Sequence, residues 1–307
     1  MIRWILRRIL WMIPALVGVS LLTFLIAAMV PGDPVYAVVG ERADPAVIEA
    51  YRSRLGLDRS LPVRYVLYIK TVLSGDLGRS VATGRPVARD LLSKFPNTLL
   101  LAAAAMLFAV TFGVILGVVA AFVRDSPLDR AIVVFSTALI SLPVFWFGML
   151  LVFVFAYYLR WLPVAGMEHP ASVILPGVTL GSRSLGYLVR LTRSTMIEQL
   201  SSDYILAVRA KGAGRLLLAK HALLNVSIPI VTFIGLDFGS YLNGSVLTET
   251  IFGWNGVGRY AVNGIFRRDY PVIIGCVLFG ALLFMAVNVL IDIVYMMLDP
   301  KLRHGAS

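Results

Sequence analysis

Four long stretches carry no charged residue: 9–32, 95–123, 131–159 and 270–291. Each exceeds the roughly 20 apolar residues that a helix needs to cross about 30 Å of hydrocarbon. Two more apolar stretches are interrupted, 173–193 by Arg183 and Arg190 and 226–248 by Asp237. Counting both predicts an all-α integral membrane protein with six transmembrane helices. Between the first two spans, "DPAVIEAYRSRLGLDRSLPVRYVLYIKTVLSGDLG" sets Val47, Ile48, Tyr51 and Leu55, then Val63, Tyr65, Val66, Tyr68, Ile69 and Leu73, at helical spacing, with a break at Gly56 and Pro62. Two short amphipathic helices outside the membrane are predicted there. "PGDP" at 31–34 reads as a turn at the membrane exit.

The polar positions orient the spans. Arg3, Arg7 and Arg8 precede a first apolar run too long for the core of a signal peptide, which predicts an uncleaved helix with a cytoplasmic N-terminus. Arg193, Arg209, Lys211, Arg215 and Lys220 place the fourth-to-fifth loop inside, and Lys301 and Arg303 place the C-terminus there too. The arginines of the first external loop weigh little because long loops translocate regardless of charge. Arg259, Arg267 and Arg268 are exceptions to the charge rule. Trp4, Trp11 and Trp161 suit interfacial positions.

Composition agrees with this picture. Of 307 residues, 59% are hydrophobic and 15% charged, and the mean hydropathy is +0.84, values outside the range of soluble domains. The net charge of +11 belongs to cytoplasmic loops, and no aromatic-basic motif accompanies it, so nucleic acid is not an expected partner. Cys276 is the single cysteine. No Gly-Lys dipeptide occurs, which removes a phosphate-cradling GxxxxGK[ST] loop, and His169, His221 and His304 are too scattered for a zinc motif. No catalytic residue, bound cofactor or metal site is expected, and the chain does not read as an enzyme. Transport or scaffolding remains.

A charge at membrane depth is costly unless it pairs or meets water. Arg183 lies ten residues from Arg193, and Asp237 eleven from residue 226, so both sit about 15 to 17 Å in at 1.5 Å per residue. Two readings are open. One is a structural ion pair between consecutive antiparallel helices; the other is that one or both line a translocation path and meet a charged substrate terminus.

On the cytoplasmic side, "DYILAVRAKGAGRLLLAKH" at 203–221 reads as helix, sharp turn, helix. Ser201, Ser202 or Asp203 would cap a helix from Tyr204, Gly212 and Gly214 would end it, and a second turn would follow at Leu216 to Leu218. Ala207, Ala210, Gly212 and Ala213 let another surface come close, and Arg209, Lys211 and Arg215 supply charge. The alternative is a solvated basic loop that only enforces topology.

"DYILAVRAKG" followed by "HALLNVSIPIVT" resembles the cytoplasmic loop of inner-membrane permease subunits of binding-protein-dependent ABC importers, in the dipeptide, oligopeptide, nickel and glutathione group. Leu206, Ala207 and Val208 stand at the three positions of that family's Glu-Ala-Ala motif, and Gly212 at its glycine. "PGDP" at 31–34, "LGLD" at 55–58, "GDLGRS" at 75–80, "RLTRS" at 190–194, "TETIFGWNGVGR" at 248–259, "RDYPV" at 268–272 and "LDPKLRH" at 298–304 extend the likeness over essentially the whole chain. Arg183, Asp237 and Leu224 depart from the family pattern, and the spacer from Gly212 to His221 is one residue short of it.

The resemblance implies an N-terminal span with an extracytoplasmic helical segment (residues 1–94), then a five-helix importer core (95–307) whose coupling loop lies at about 198–225. It implies docking of an ATPase subunit on Asp203, Tyr204, Ala207, Val208, Ala210, Lys211, Gly212 and Arg215. It also implies a pore shared with a paralogous permease subunit, two ATPase subunits that use ATP and Mg²⁺, and an extracytoplasmic substrate-binding protein. The expected cargo is a peptide or related small solute, and the expected location is the bacterial inner membrane. Trp254, Gly256 and Gly258 fit a folded-back external hairpin that touches the binding protein or plugs the pore mouth. The alternative function is a secondary transporter or channel without ATPase subunits.

Overall fold

Proline, glycine and cap residues decide where the apolar stretches become helices. The computed structural model describes residues 2–29, 44–54, 58–242 and 245–298. The turn expected at 31–34, the break at Gly56 and the C-terminal Lys301 and Arg303 lie outside these. In chain order the helices are α1 (Ile2–Met29), α2 (Pro45–Arg54), α3 (Leu61–Leu73), α4 (Val87–Phe122), α5 (Pro127–Ser141), α6 (Val144–Leu151), α7 (Ile174–Leu200), α8 (Asp203–Ala210), α9 (Arg215–Leu242), α10 (Val246–Ile251), α11 (Val257–Phe266) and α12 (Tyr270–Leu298). Among the described residues there is no strand, only an isolated bridge between Arg79 and Pro86.

By length and composition, α4, α9 and α12 can each cross a membrane. The stretch 131–159, expected as one straight span, is two helices bent by 107°. The cause is local. Leu142, ahead of Pro143, is extended (φ −75°, ψ 135°), because the proline ring disfavours helical geometry in the preceding residue. Beyond α6 the chain continues as a π-helical turn, Val152–Tyr158. α5 starts cleanly: the Ser126 hydroxyl accepts the N–H of Asp129 at 3.2 Å, and Pro127 occupies the first turn.

Two compact units emerge. One consists of Ile2–Pro96 and Tyr260–Met285; the other of Asn97–Arg259 and the chain from Ala286 on. Residues 260–285 thus group with the N-terminal part. Within that unit the motifs "GDLGRS" and "RDYPV" meet: buried Asp269 accepts the Ser80 hydroxyl at 2.6 Å and the N–H groups of Val81 and Ala82 at 3.1 and 3.2 Å. Helix α3 packs on α1 through Tyr65 and Tyr68, whose rings lie 5.4 and 5.6 Å from that of Phe24. The Tyr65 hydroxyl bonds Ser20 at 2.9 Å.

The other unit is built around α7, which packs against α5, α6 and α9. Leu185, Leu188, Val189 and Met196 of α7 share one apolar cluster with Ile132 and Leu139 of α5, Ile205 of α8, and Ala222 and Val226 of α9. Against α4 the approach is closer still. A Cβ on Gly113 would lie 2.7 Å from Leu188 Cβ, and one on Gly117 would lie 2.6 Å from Thr192 Cβ. Gly181 of α7 faces the Ala105 carbonyl in the same way. Two Gly-x-x-x-Gly runs, at Gly113/Gly117 and Gly177/Gly181, therefore bring backbones together. Inside lipid, where apolar burial separates helices from solvent no better than from each other, close packing of this kind holds helices together.

Candidate functional site

The loop at 203–221 has the predicted helix, turn, helix form with one change. α8 ends at Lys211, and Gly212 turns the chain at φ +85°, a left-handed conformation that a side chain resists. The expected second short helix and the fifth span are one continuous helix, α9. Ser202 holds the N-cap position of α8, but its hydroxyl donates back to the Gln199 carbonyl instead of capping. Ile205 is fully buried in the α7–α9 cluster and anchors α8. The Tyr204 hydroxyl donates to Gln199 Oε1 at 3.0 Å and accepts from Asn225 Nδ2 at 2.7 Å, joining α8 to the helices on either side of it. With its back fixed, α8 presents Asp203, Tyr204, Ala207 and Ala210 outward; Lys211, Gly212 and Arg215 are exposed after it, and Val208 is half-buried. Leu206, Leu216, Leu217 and Leu224 are large apolar side chains exposed in the same region.

Arg183 and Asp237 are not brought together. Asp237 is 9% exposed; its carboxylate accepts the hydroxyl of Ser184, and that hydroxyl also bonds Tyr241. Tyr241 in turn donates to the Leu180 carbonyl at 3.0 Å. Arg183, the residue before Ser184 on α7, is exposed and lies over the Tyr187 ring at 5.9 Å. Helical geometry separates the two side chains: adjacent residues differ by about 100° around the axis, so Ser184 is buried against Asp237 while Arg183 stays exposed. Ser184 and Tyr241 went unnoticed in the sequence, although a tyrosine four residues after an intramembrane aspartate was a usable signal.

The hairpin at 248–259 is internally pinned. Trp254 is buried, and its indole N–H donates to the Asn97 carbonyl at 2.8 Å, so the side chain is an anchor rather than an exposed contact. Its centre is a residue the sequence reading passed over, Glu249, which has no exposed surface. Its carboxylate accepts the Thr98 hydroxyl at 2.8 Å and the Arg259 N–H at 2.9 Å. Thr98 also accepts the Val257 N–H at 2.9 Å. Burial pushes the Glu249 carboxyl above its ordinary range, and the donors at Arg259, Thr98 and Gly258 partly oppose this. Gly256 and Gly258 are required because the carboxylate occupies the place of their side chains; a Cβ on Gly256 would meet Glu249 Cδ at 2.5 Å. The signal was present in "TETIFGWNGVGR": an acid ahead of a glycine-rich helix start is a capping pattern.

A helical chain with several membrane-length helices, a fixed short helix at Asp203–Ala210 and an internally pinned hairpin is a polytopic membrane protein. It belongs to the family of binding-protein-dependent transport system inner membrane components. Residues 113–304 match that family, and residues 1–102 match its N-terminal membrane component. The chain is 40% identical to the glutathione transport system permease protein GsiC of Escherichia coli and 36% to the dipeptide transport system permease protein DppB of Alkalihalophilus pseudofirmus, in each case over 99% of this chain and 100% of the relative. It is 39% identical to the di/tripeptide transport system permease protein DppB of Pseudomonas aeruginosa, over 99% of both. Its fold resembles a chain of the MetNI methionine ABC transporter in an inward-facing form, with a TM-score of 0.59 and 15% identity, covering 68% of this chain and 96% of that one. The protein is a multi-pass component of a bacterial inner membrane.

Proposed function

We propose that this chain is the pore-forming permease subunit of an ATP-driven importer of peptides, di- or oligopeptides including glutathione-like ones. Full-length identity of 36–40% to peptide and glutathione permeases carries this reading. It spans the membrane six times with both ends in the cytoplasm. It forms its pore with a paralogous permease subunit and receives cargo from an extracytoplasmic binding protein. Two ATPase subunits use ATP and Mg²⁺, and one of them docks on α8. The support for that dock is its form: a short helix anchored from behind by Ile205 and Tyr204, with small side chains at Ala207 and Ala210 facing out.

Energy enters the pore only through contacts that differ between its outward- and inward-open states. A rigid α8 continuous in packing with α7 and α9 would pass a push from the ATPase into both helices. Arg183 faces the transport path in this reading, while Asp237 is a structural carboxylate between α7 and α9. The experiment is reconstitution of the full complex in liposomes with its binding protein. ATP-dependent uptake of a peptide is expected; uptake driven by an ion gradient without ATPase subunits would replace this reading by a secondary transporter.

A further inference from the structure

From Leu175 to Thr192, α7 is covered by protein at almost every position, yet Arg183, Tyr187 and Arg190 are exposed. Their spacing of four and three residues puts them on one stripe of the helix. Ser194 and Glu198 continue it at the same spacing and are exposed as well. The stripe is entirely polar or amphipathic on a helix otherwise sunk in apolar packing. An exposed stripe on a membrane helix meets lipid, another chain or water, and a guanidinium at membrane depth is costly against lipid.

Among the described residues, neither Arg183 nor Arg190 is in an ion pair or a side-chain hydrogen bond. Arg183 is steadied instead by the Tyr187 ring below it, a contact that leaves the N–H edge of the guanidinium available. Asp237, the acid at the depth of Arg183, bonds Ser184 instead. Seven residues separate the two arginines, about 10 Å along the axis, with Tyr187 between them. Guanidinium edges at that spacing suit carboxylates, which accept two parallel N–H bonds from each.

We infer that the Arg183–Tyr187–Arg190 stripe lines the aqueous path and binds the carboxylates of the passing solute, so that the subunit favours anionic peptides over amidated or cationic ones. This rests on the permease reading and names the substrate class of its path. Arg183, at depth, would meet a carboxylate first, and Arg190 would receive it nearer the cytoplasmic end.

The test uses the complete complex with Cys276→Ser in this chain, and two methanethiosulfonate reagents of similar size, one a sulfonate and one a trimethylammonium. Tyr187→Cys is expected to react about tenfold or more faster than Leu107→Cys, an exposed apolar position on α4, and the sulfonate is expected to be preferred severalfold beyond its ratio on a free thiol. Adding Arg183→Gln and Arg190→Gln should abolish that preference. Labelling as slow as at Leu107→Cys, which means that lipid or a partner subunit covers the stripe, overturns the inference; so does an absent charge preference. Ser194→Cys serves as the second probe if Tyr187→Cys does not assemble. Uptake of a peptide against its C-terminal amide completes the test, and Arg183→Gln should narrow the difference. Normal labelling with no ATP-driven uptake would refute the importer reading while leaving the anion-lined path standing.

Discussion

Arg193 grips Asp129 at two points, Nε to Oδ1 at 2.6 Å and Nη2 to Oδ2 at 2.7 Å. The same carboxylate accepts the Asp125 N–H at 2.9 Å. One nearly buried acid therefore closes the turn between α4 and α5 and ties it to the C-terminal part of α7. Removing one partner of a buried pair leaves the other charge uncompensated, so Arg193→Ala should cost about 3 kcal/mol. A fall in the thermal midpoint of the detergent-solubilised complex would register it.

The hydrogen bonds from Arg193 hold the Asp129 carboxyl below its ordinary range. The folded state then binds this proton less readily than the unfolded state, so the contribution to stability is complete above the usual carboxylate range. It is lost as pH falls through the lowered value. Stability measured against pH should show this acid limb in the wild type, and Asp129→Asn should remove that part of the limb along with the pair.

The hairpin depends on Glu249 having room beside Gly256. In Gly256→Ala the added carbon displaces a carboxylate that Thr98 and Arg259 hold in place. A loss of about 1–3 kcal/mol is expected, as for other overpacked sites. Glu249→Gln should cost a similar amount, because one buried N–H donor loses its acceptor. Limited proteolysis at residues 252–259 would show both variants opening before the rest of the chain.

Close approach of α4 and α7 predicts that Gly181→Val is disruptive. Its side chain would press on the Ala105 carbonyl and on Phe108, and backbone cannot yield as a side chain does. The added strain should be about 2 kcal/mol or more, read as reduced recovery of monodisperse complex and a lowered midpoint. Gly214→Ala, with nothing within 4 Å of the added carbon, is the control.

Coupling can be separated from folding on α8. Ala207→Glu changes an exposed position, so membrane insertion and complex stability should be unchanged, while peptide-stimulated ATP hydrolysis should be lost. Tyr204→Phe removes both the Gln199 and Asn225 contacts. It should weaken coupling partially, by loosening the helix rather than blocking its face. Full ATPase stimulation in Ala207→Glu would place the ATPase dock elsewhere.

The composition of this chain, its charge-free stretches and its loop motifs were enough to read an all-helical membrane protein and its family. Hydrophobic length, helix-stop glycine and basic loop residues act locally, within a few positions of one another. Sequence also located the short helix at Asp203–Ala210 and its turn at Gly212 for that reason.

Contacts between distant segments were settled only by the tertiary structure. Matching depth along two helices left an Arg183–Asp237 pair open as one of two readings, but depth says nothing about rotation, and rotation gives Asp237 to Ser184 and leaves Arg183 exposed. The burial of Trp254 and the carboxylate of Glu249 under Gly256 likewise depend on which segment lies opposite. A side chain's neighbours across a helix interface are fixed by how the helices pack, a relation that periodicity along a single chain does not contain.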